Sequence, residues 1–150
     1  MRDKNVLDID RLRIHVYDVT LTSGRPPTIG EMAAAMETSE TTVAEALIEL
    51  SLRRVLVLQP HGEILMAPPF SAVPTAFIVS TDTFTAHVNC AWDALGAAVM
   101  LQRRLSIAAS CADCGQRIQL ESNGTSVGGD APLLHFPLPP RKWWESIVFT

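Results

Sequence analysis

Apolar residues in the first third of the chain recur at helical intervals. Ile9, Leu12, Ile14, Val16 and Val19 predict a helix over 8–20, which Gly24-Arg25-Pro26-Pro27 breaks. Thr28, with Glu31 three residues on, has the form of a capping box and predicts a short helix to about Met36. Thr38-Ser39 and Thr41-Thr42 make the next turn and cap. The helix they start runs to about Leu52 with Val43, Ala46, Leu47 and Leu50 on one face. Val55-Leu56-Val57-Leu58 and Glu63-Ile64-Leu65-Met66 flank Pro60-His61-Gly62, the pattern of a hairpin. Three helices and a hairpin follow the order of a winged helix-turn-helix.

The segment Ala67-Pro68-Pro69-Phe70-Ser71-Ala72-Val73-Pro74 is too rich in proline for a helix and predicts an extended connector. Beyond it, 75–79 predicts a strand and Cys90 to about Arg104 a strongly apolar, central helix. Strands are predicted over 105–109, 117–121 and 133–138. Cys111 to Gly115 forms a turn, and 124–129 a loop holding a possible short strand. Pro139-Pro140 opens a last helix from Arg141 to about Ile147. The fold class is therefore α+β: a degenerate winged helix-turn-helix over 1–67, then a small mixed or antiparallel sheet with a central Cys90 helix over 68–150.

Composition narrows the partners. At 150 residues, 47% apolar and 19% charged, the chain has material for a packed core. A net charge of −4 lacks the basic footprint of a phosphate binder. Residues 28–52 carry Glu31, Glu37, Glu40, Glu45 and Glu49 and neither lysine nor arginine. A recognition helix needs cationic or amide side chains facing bases and phosphates, so this module reads as a scaffold, with no nucleic-acid partner. No run approaches the roughly 18 apolar residues of a membrane span, and the start Met1-Arg2-Asp3-Lys4-Asn5 has no apolar core of a leader. Both point to the cytoplasm and to no membrane partner. Thiols there stay reduced, so the three cysteines are expected as ligands, reactive groups or core filler.

Two clusters carry candidate chemistry. Cys111-Ala112-Asp113-Cys114-Gly115 is half of a zinc ribbon, but structural zinc takes four ligands and no second paired spacing exists among Cys90, His15, His61, His87 and His135. A tight turn with buried thiols is the plainer account. The second cluster is His87-Val88-Asn89-Cys90-Ala91-Trp92-Asp93-Ala94-Leu95, which reads as a helix start. Positions i and i+3 share a helix face, so Cys90 and Asp93 can address one ligand together. With Asn89 as N-cap, the same residues read as purely structural. A helix N-terminus favours thiolate, whereas a charged carboxylate beside it opposes ionisation unless it takes the thiol proton.

These residues resemble the alkylmercury (organomercurial) lyase family. The likeness lies in Asn89-Cys90-Ala91-Trp92-Asp93-Ala94-Leu95, in Ile107-Ala108-Ala109-Ser110-Cys111-Ala112-Asp113-Cys114-Gly115, in the connector 66–74 and in Trp143-Trp144-Glu145-Ser146-Ile147-Val148-Phe149-Thr150. The resemblance implies protonolysis of a carbon–mercury bond, giving a hydrocarbon and Hg(II). It implies Cys90 as a catalytic cysteine and Asp93 as the general acid, both of them ligands of the substrate mercury, and Cys111 as structural. It also implies no cofactor beyond external thiols, with an organomercurial as substrate and cellular thiols or a mercuric reductase receiving the product. The family's second catalytic cysteine would follow Thr150, which leaves 68–150 a catalytic domain short at its C-terminus. Cys114 is the extra thiol available to stand in as a metal ligand. Two alternatives stay open: a thiophilic-metal binding protein without turnover, and a winged-helix metal-responsive regulator.

Overall fold

The structure, a computed structural model, describes residues 7–130 and 132–147. Its first three elements are helices: α1 (Ile9–Ser23), α2 (Ile29–Met36) and α3 (Glu40–Leu52). Each start is set by a side-chain cap. The Asp8 carboxylate accepts from the amides of Asp10 and Arg11, Thr28 and Glu31 close the expected capping box, and Ser39 accepts from the Thr42 amide. α1 ends at Gly24, whose φ of +79° suits glycine. A Cβ there would also lie 2.3 Å from the Thr85 carbonyl oxygen, so the glycine lets α1 approach the sheet closely.

Eight strands follow among the described residues: β1 (Val57–Leu58), β2 (Ile64–Ala67), β3 (Phe70–Ser71), β4 (Phe77–Ser80), β5 (Thr85–Val88), β6 (Leu105–Ser110), β7 (Arg117–Ser122) and β8 (Val127–Gly129). They form one sheet in the order β1-β2-β3-β5-β4-β6-β7-β8, with every pairing antiparallel. Helix α4 (Ala91–Leu101) links β5 to β6 and lays Ala94, Ala97 and Ala98 inward, alongside Val79, Leu105 and Ile107 in one cluster. Two buried clusters result. One gathers Leu12, Val16, Met32, Val43, Leu47 and Leu50 with Leu56 and Ile64; the other gathers Phe70, Val79, Phe84, Ala86 and Val88 with the α4 alanines. Tyr17 packs against both.

Several expectations need correction. The predicted strand at 133–138 is irregular chain, with Leu133 98% exposed. Pro132, Pro137 and Pro139 carry no amide hydrogen to donate to a ladder. The last helix is a 3-10 segment over Pro140–Glu145 rather than an α-helix from Arg141 to Ile147. α4 is not enclosed on all sides: Trp92, Val99 and Met100 lie on its exposed flank at 59%, 59% and 47% exposure. It stops at Gln102, which takes a left-handed conformation, short of the expected Arg104. Two strands were not anticipated: β3 lies inside the proline-rich connector, and β5 precedes Cys90. Val148, Phe149 and Thr150, part of the stretch that carries the family resemblance, lie outside the described residues.

Candidate active site

The site is assembled where β5 runs into α4. Val88 pairs with Phe70 of β3 and with Phe77 of β4, which holds the end of β5 between two strands. Asn89 then turns the chain. Its backbone amide and its Nδ2 both donate to the Pro69 carbonyl, at 3.1 and 3.0 Å. The N-cap of α4 is Cys90, not Asn89. Cys90 is extended, with φ −155° and ψ −178°; its carbonyl accepts the Ala94 amide at 3.0 Å, and its side chain makes no capping bond. The sulfur is thereby left to face Asp93 one turn on. Cys90 Sγ donates to Asp93 Oδ2 at 3.6 Å, so the shared helix face read from the sequence is realised.

Both groups are partly buried, and burial decides their protonation. It pushes the Cys90 thiol above its ordinary value. The backbone amides of Asp93 and Trp92 favour the thiolate, while the Asp93 charge and its hydrogen bond oppose it. Desolvation therefore outweighs the thiolate-favouring pull of the helix N-terminus. Burial likewise raises the Asp93 carboxyl, against the opposing effect of the Asn89 side chain and the Cys90 thiol. The pair is built to retain a proton rather than to stand doubly ionised.

A third side chain, from near the start of the sequence, comes close enough to feel the Asp93 charge. Tyr17, on α1, donates its hydroxyl to the Pro68 carbonyl at 3.0 Å. Its own ionisation is suppressed mainly by burial and further by the nearby Asp93 charge, with Arg13 acting the other way. Consecutive proline carbonyls of the connector thus anchor Tyr17 and Asn89. Sequence reading missed Tyr17: an isolated tyrosine on an amphipathic helix gives no signal of chemistry. On the opposite flank, Trp92 meets Phe136 and Trp143 edge-on at 6.5 and 6.1 Å between ring centroids, and Trp143 Nε1 donates to the Leu138 carbonyl. This aromatic group places the irregular 132–147 segment beside the start of α4.

The other two cysteines sit together on the turn between β6 and β7. The Cys111 amide donates to the Gln116 carbonyl and the Gly115 amide to the Cys111 carbonyl, each at 2.9 Å. Cys111 is half-buried and Cys114 exposed, and both are free thiols. The amides of Cys114 and Asp113, with the Cys114 thiol, pull the Cys111 thiol below its ordinary value. Among the described residues no three of the histidines, cysteines and acids form a metal-holding group, so Cys114 adds no third member to Cys90 and Asp93. The sheet nonetheless brings the two thiol centres to one end. Val88 and Ala109 both pair with Phe77, and Cys90 and Cys111 each follow two residues later, just past the ends of β5 and β6.

Residues 70–150 match the alkylmercury lyase (MerB) family. The match spans more than half of the 150 residues and contains Cys90, Asp93, Cys111 and Cys114, and the chain belongs to that family. Among solved structures, it is similar in fold to the mercury-bound form of MerB2, with a TM-score of 0.59 at 20% sequence identity. That likeness covers 80% of this chain but 57% of the other, so the chain spans under two thirds of the length of the protein it matches. No curated protein matches it. The shared fold is, in this chain, one of helices combined with an antiparallel sheet. No helix among the described residues is long and apolar enough to cross a membrane.

Proposed function

We propose that this protein is an organomercurial lyase, in which Cys90 captures the mercury of an organomercurial and Asp93 protonates the departing carbon. The observation that carries the reading is the 3.6 Å contact between Cys90 Sγ and Asp93 Oδ2 inside the segment that matches the family. Mercury is a soft cation, and sulfur is its preferred donor. As Sγ bonds to mercury, the thiol proton passes to the Asp93 carboxylate, which burial has made a better base than an exposed one. A second thiolate, supplied by a small thiol in solution, adds to the mercury and loads electron density onto the bonded carbon. The Asp93 proton then goes to that carbon, which keeps the electron pair of the carbon–mercury bond. A hydrocarbon leaves, and a mercury(II) dithiolate remains on Cys90 until other thiols, or a mercuric reductase, remove it.

In this reading the three helices and first hairpin form a degenerate winged helix that serves as a scaffold in a cytoplasmic protein. Its contribution to the site is Tyr17. Cys111 is structural rather than catalytic in this cleavage, and no cofactor is needed. Capture without turnover is the second reading. It is favoured by the absence, among the described residues, of a further thiol grouped with Cys90 and Asp93.

The deciding experiment mixes the full chain with a simple aryl- or alkylmercury under excess monothiol. Hydrocarbon is followed by gas chromatography, and bound mercury in parallel. Catalytic release that disappears in Cys90→Ser and in Asp93→Asn, with mercury still captured by Asp93→Asn, supports the lyase. Stoichiometric capture with no hydrocarbon replaces it with the second reading. Turnover persisting in both variants removes the assigned roles.

A further inference from the structure

We propose that Cys111 and Cys114 form a second, exposed dithiol site that binds a soft two-coordinate metal ion, Hg(II) foremost, beside the Cys90 centre. Two residues between the cysteines put both sulfurs on one short turn, which is closed by the Cys111 amide to the Gln116 carbonyl and by the Gly115 amide to the Cys111 carbonyl. Gly115 adopts φ +70°, a conformation that lets the chain reverse tightly behind the pair. The nearby Cys114 and Asp113 amides and the Cys114 thiol favour the thiolate form of Cys111. Neither thiol is tied up in a disulfide, and Cys114 is open to solvent.

The donor set selects the ion. A structural zinc site takes four ligands, and no three candidate ligands gather among the described residues. Two thiolates and nothing else suit an ion content with two sulfur donors, which is the habit of Hg(II). Loading is an exchange that balances: a mercury bis-thiolate in solution releases two monothiols as Cys111 and Cys114 give up their two protons to them. No oxidant is involved. The location adds to the case. β5 and β6 flank β4, so their axes are about 10 Å apart, and both thiol centres open at the same end of the sheet. A dithiol there lies next to the place where Hg(II) would leave Cys90, but binding at it does not depend on Cys90 or Asp93 doing chemistry.

The test uses the full chain as Cys90→Ser, which removes the other centre, and Hg(II) presented with an excess of a monothiol. Mercury retained after desalting is measured together with the ultraviolet thiolate-to-mercury band and with mass-spectrometric alkylation of the peptide holding Cys111 and Cys114. One mercury per chain, with both thiols protected, is expected. Adding Cys114→Ser should weaken retention on the order of 100-fold or more, because the second thiol acts at the high effective concentration of a linked ligand. Cys114 is exposed, so the substitution should leave the circular dichroism unchanged, and Cys114→Ala provides a second version. Loss of all mercury to the monothiol in Cys90→Ser, or unchanged retention after either Cys114 substitution, would overturn the site. The hydrocarbon assay reports on the lyase reading independently.

Discussion

Cys90 Sγ and Asp93 Oδ2 stand 3.6 Å apart across the first turn of α4, and burial makes both harder to ionise. The carboxyl is a folded-state liability when charged. Its folded pKa lies above its unfolded value, so the fold binds the proton more tightly than the unfolded chain does. The penalty is absent below the ordinary carboxylate range and sets in as pH rises through the raised value. Asp93→Asn is therefore expected to unfold at higher denaturant concentration than the parent chain at neutral pH, with the difference vanishing below about pH 4. Urea titrations at the two pH values check this. An equal difference at both would place the effect in packing instead.

The same substitution should alter the reactivity of Cys90. The Asp93 charge and hydrogen bond hold the thiol up, while the Asp93 amide favours thiolate and survives in asparagine. The pH midpoint for alkylation of Cys90 by iodoacetamide should move downward in Asp93→Asn. The alkylation of Cys111 and Cys114, on another turn, should keep its profile. Peptide-resolved mass spectrometry separates the three thiols. An upward move at Cys90 would contradict the geometry.

Tyr17→Phe removes the 3.0 Å hydrogen bond to the Pro68 carbonyl and leaves the ring in place. A loss of about 1 kcal/mol is expected, read as a lower denaturant midpoint at constant m. Because Tyr17 also packs against both buried clusters, Tyr17→Ala should lose considerably more, on the order of 3 kcal/mol or above.

Gly24→Ala tests the approach of α1 to the sheet. The left-handed conformation alone is worth about 1–2 kcal/mol against a residue with a Cβ, and the added carbon would meet the Thr85 carbonyl oxygen at 2.3 Å. A thermal melt should show a clear drop. No change would mean that α1 and β5 can separate freely.

Acid should weaken the start of α2. The Arg25 guanidinium and then the Thr28 amide hold the Glu31 carboxyl down from 4.5 to about 2. Here the folded pKa is the lower one, so the stabilisation is complete above the unfolded value and is lost as pH falls from 4.5 toward about 2. The pair is exposed, and its contribution is modest, at most about 1 kcal/mol. Glu31→Gln should lower stability at neutral pH by that amount and flatten the acid limb, as chemical denaturation across the range would show.

Features that depend on near neighbours are legible in the sequence. The Thr28–Glu31 box, the apolar face of α3, the hairpin around Pro60-His61-Gly62 and the common face of Cys90 and Asp93 all follow from spacings of three or four residues or from turn chemistry. The motif around Cys90 also carried the family. β5 carries a local signal too, since Phe84, Ala86 and Val88 alternate with Thr83, Thr85 and His87, but its end runs directly into the residues that start α4. The rest depends on contacts between distant segments. The 133–138 segment has strand-like residues, but Pro137 and the flanking Pro132 and Pro139 cannot donate to a ladder, and none of the described strands pairs with it. Tyr17 comes under the influence of the Asp93 charge because α1 packs against a connector 51 residues away. Antiparallel pairing on both edges of β4 brings Cys90 and Cys111 to one end of the sheet. The protonation of Cys90 was also beyond local reading, because a helix N-terminus acts within one turn, whereas the burial that overrides it is a property of the assembled core.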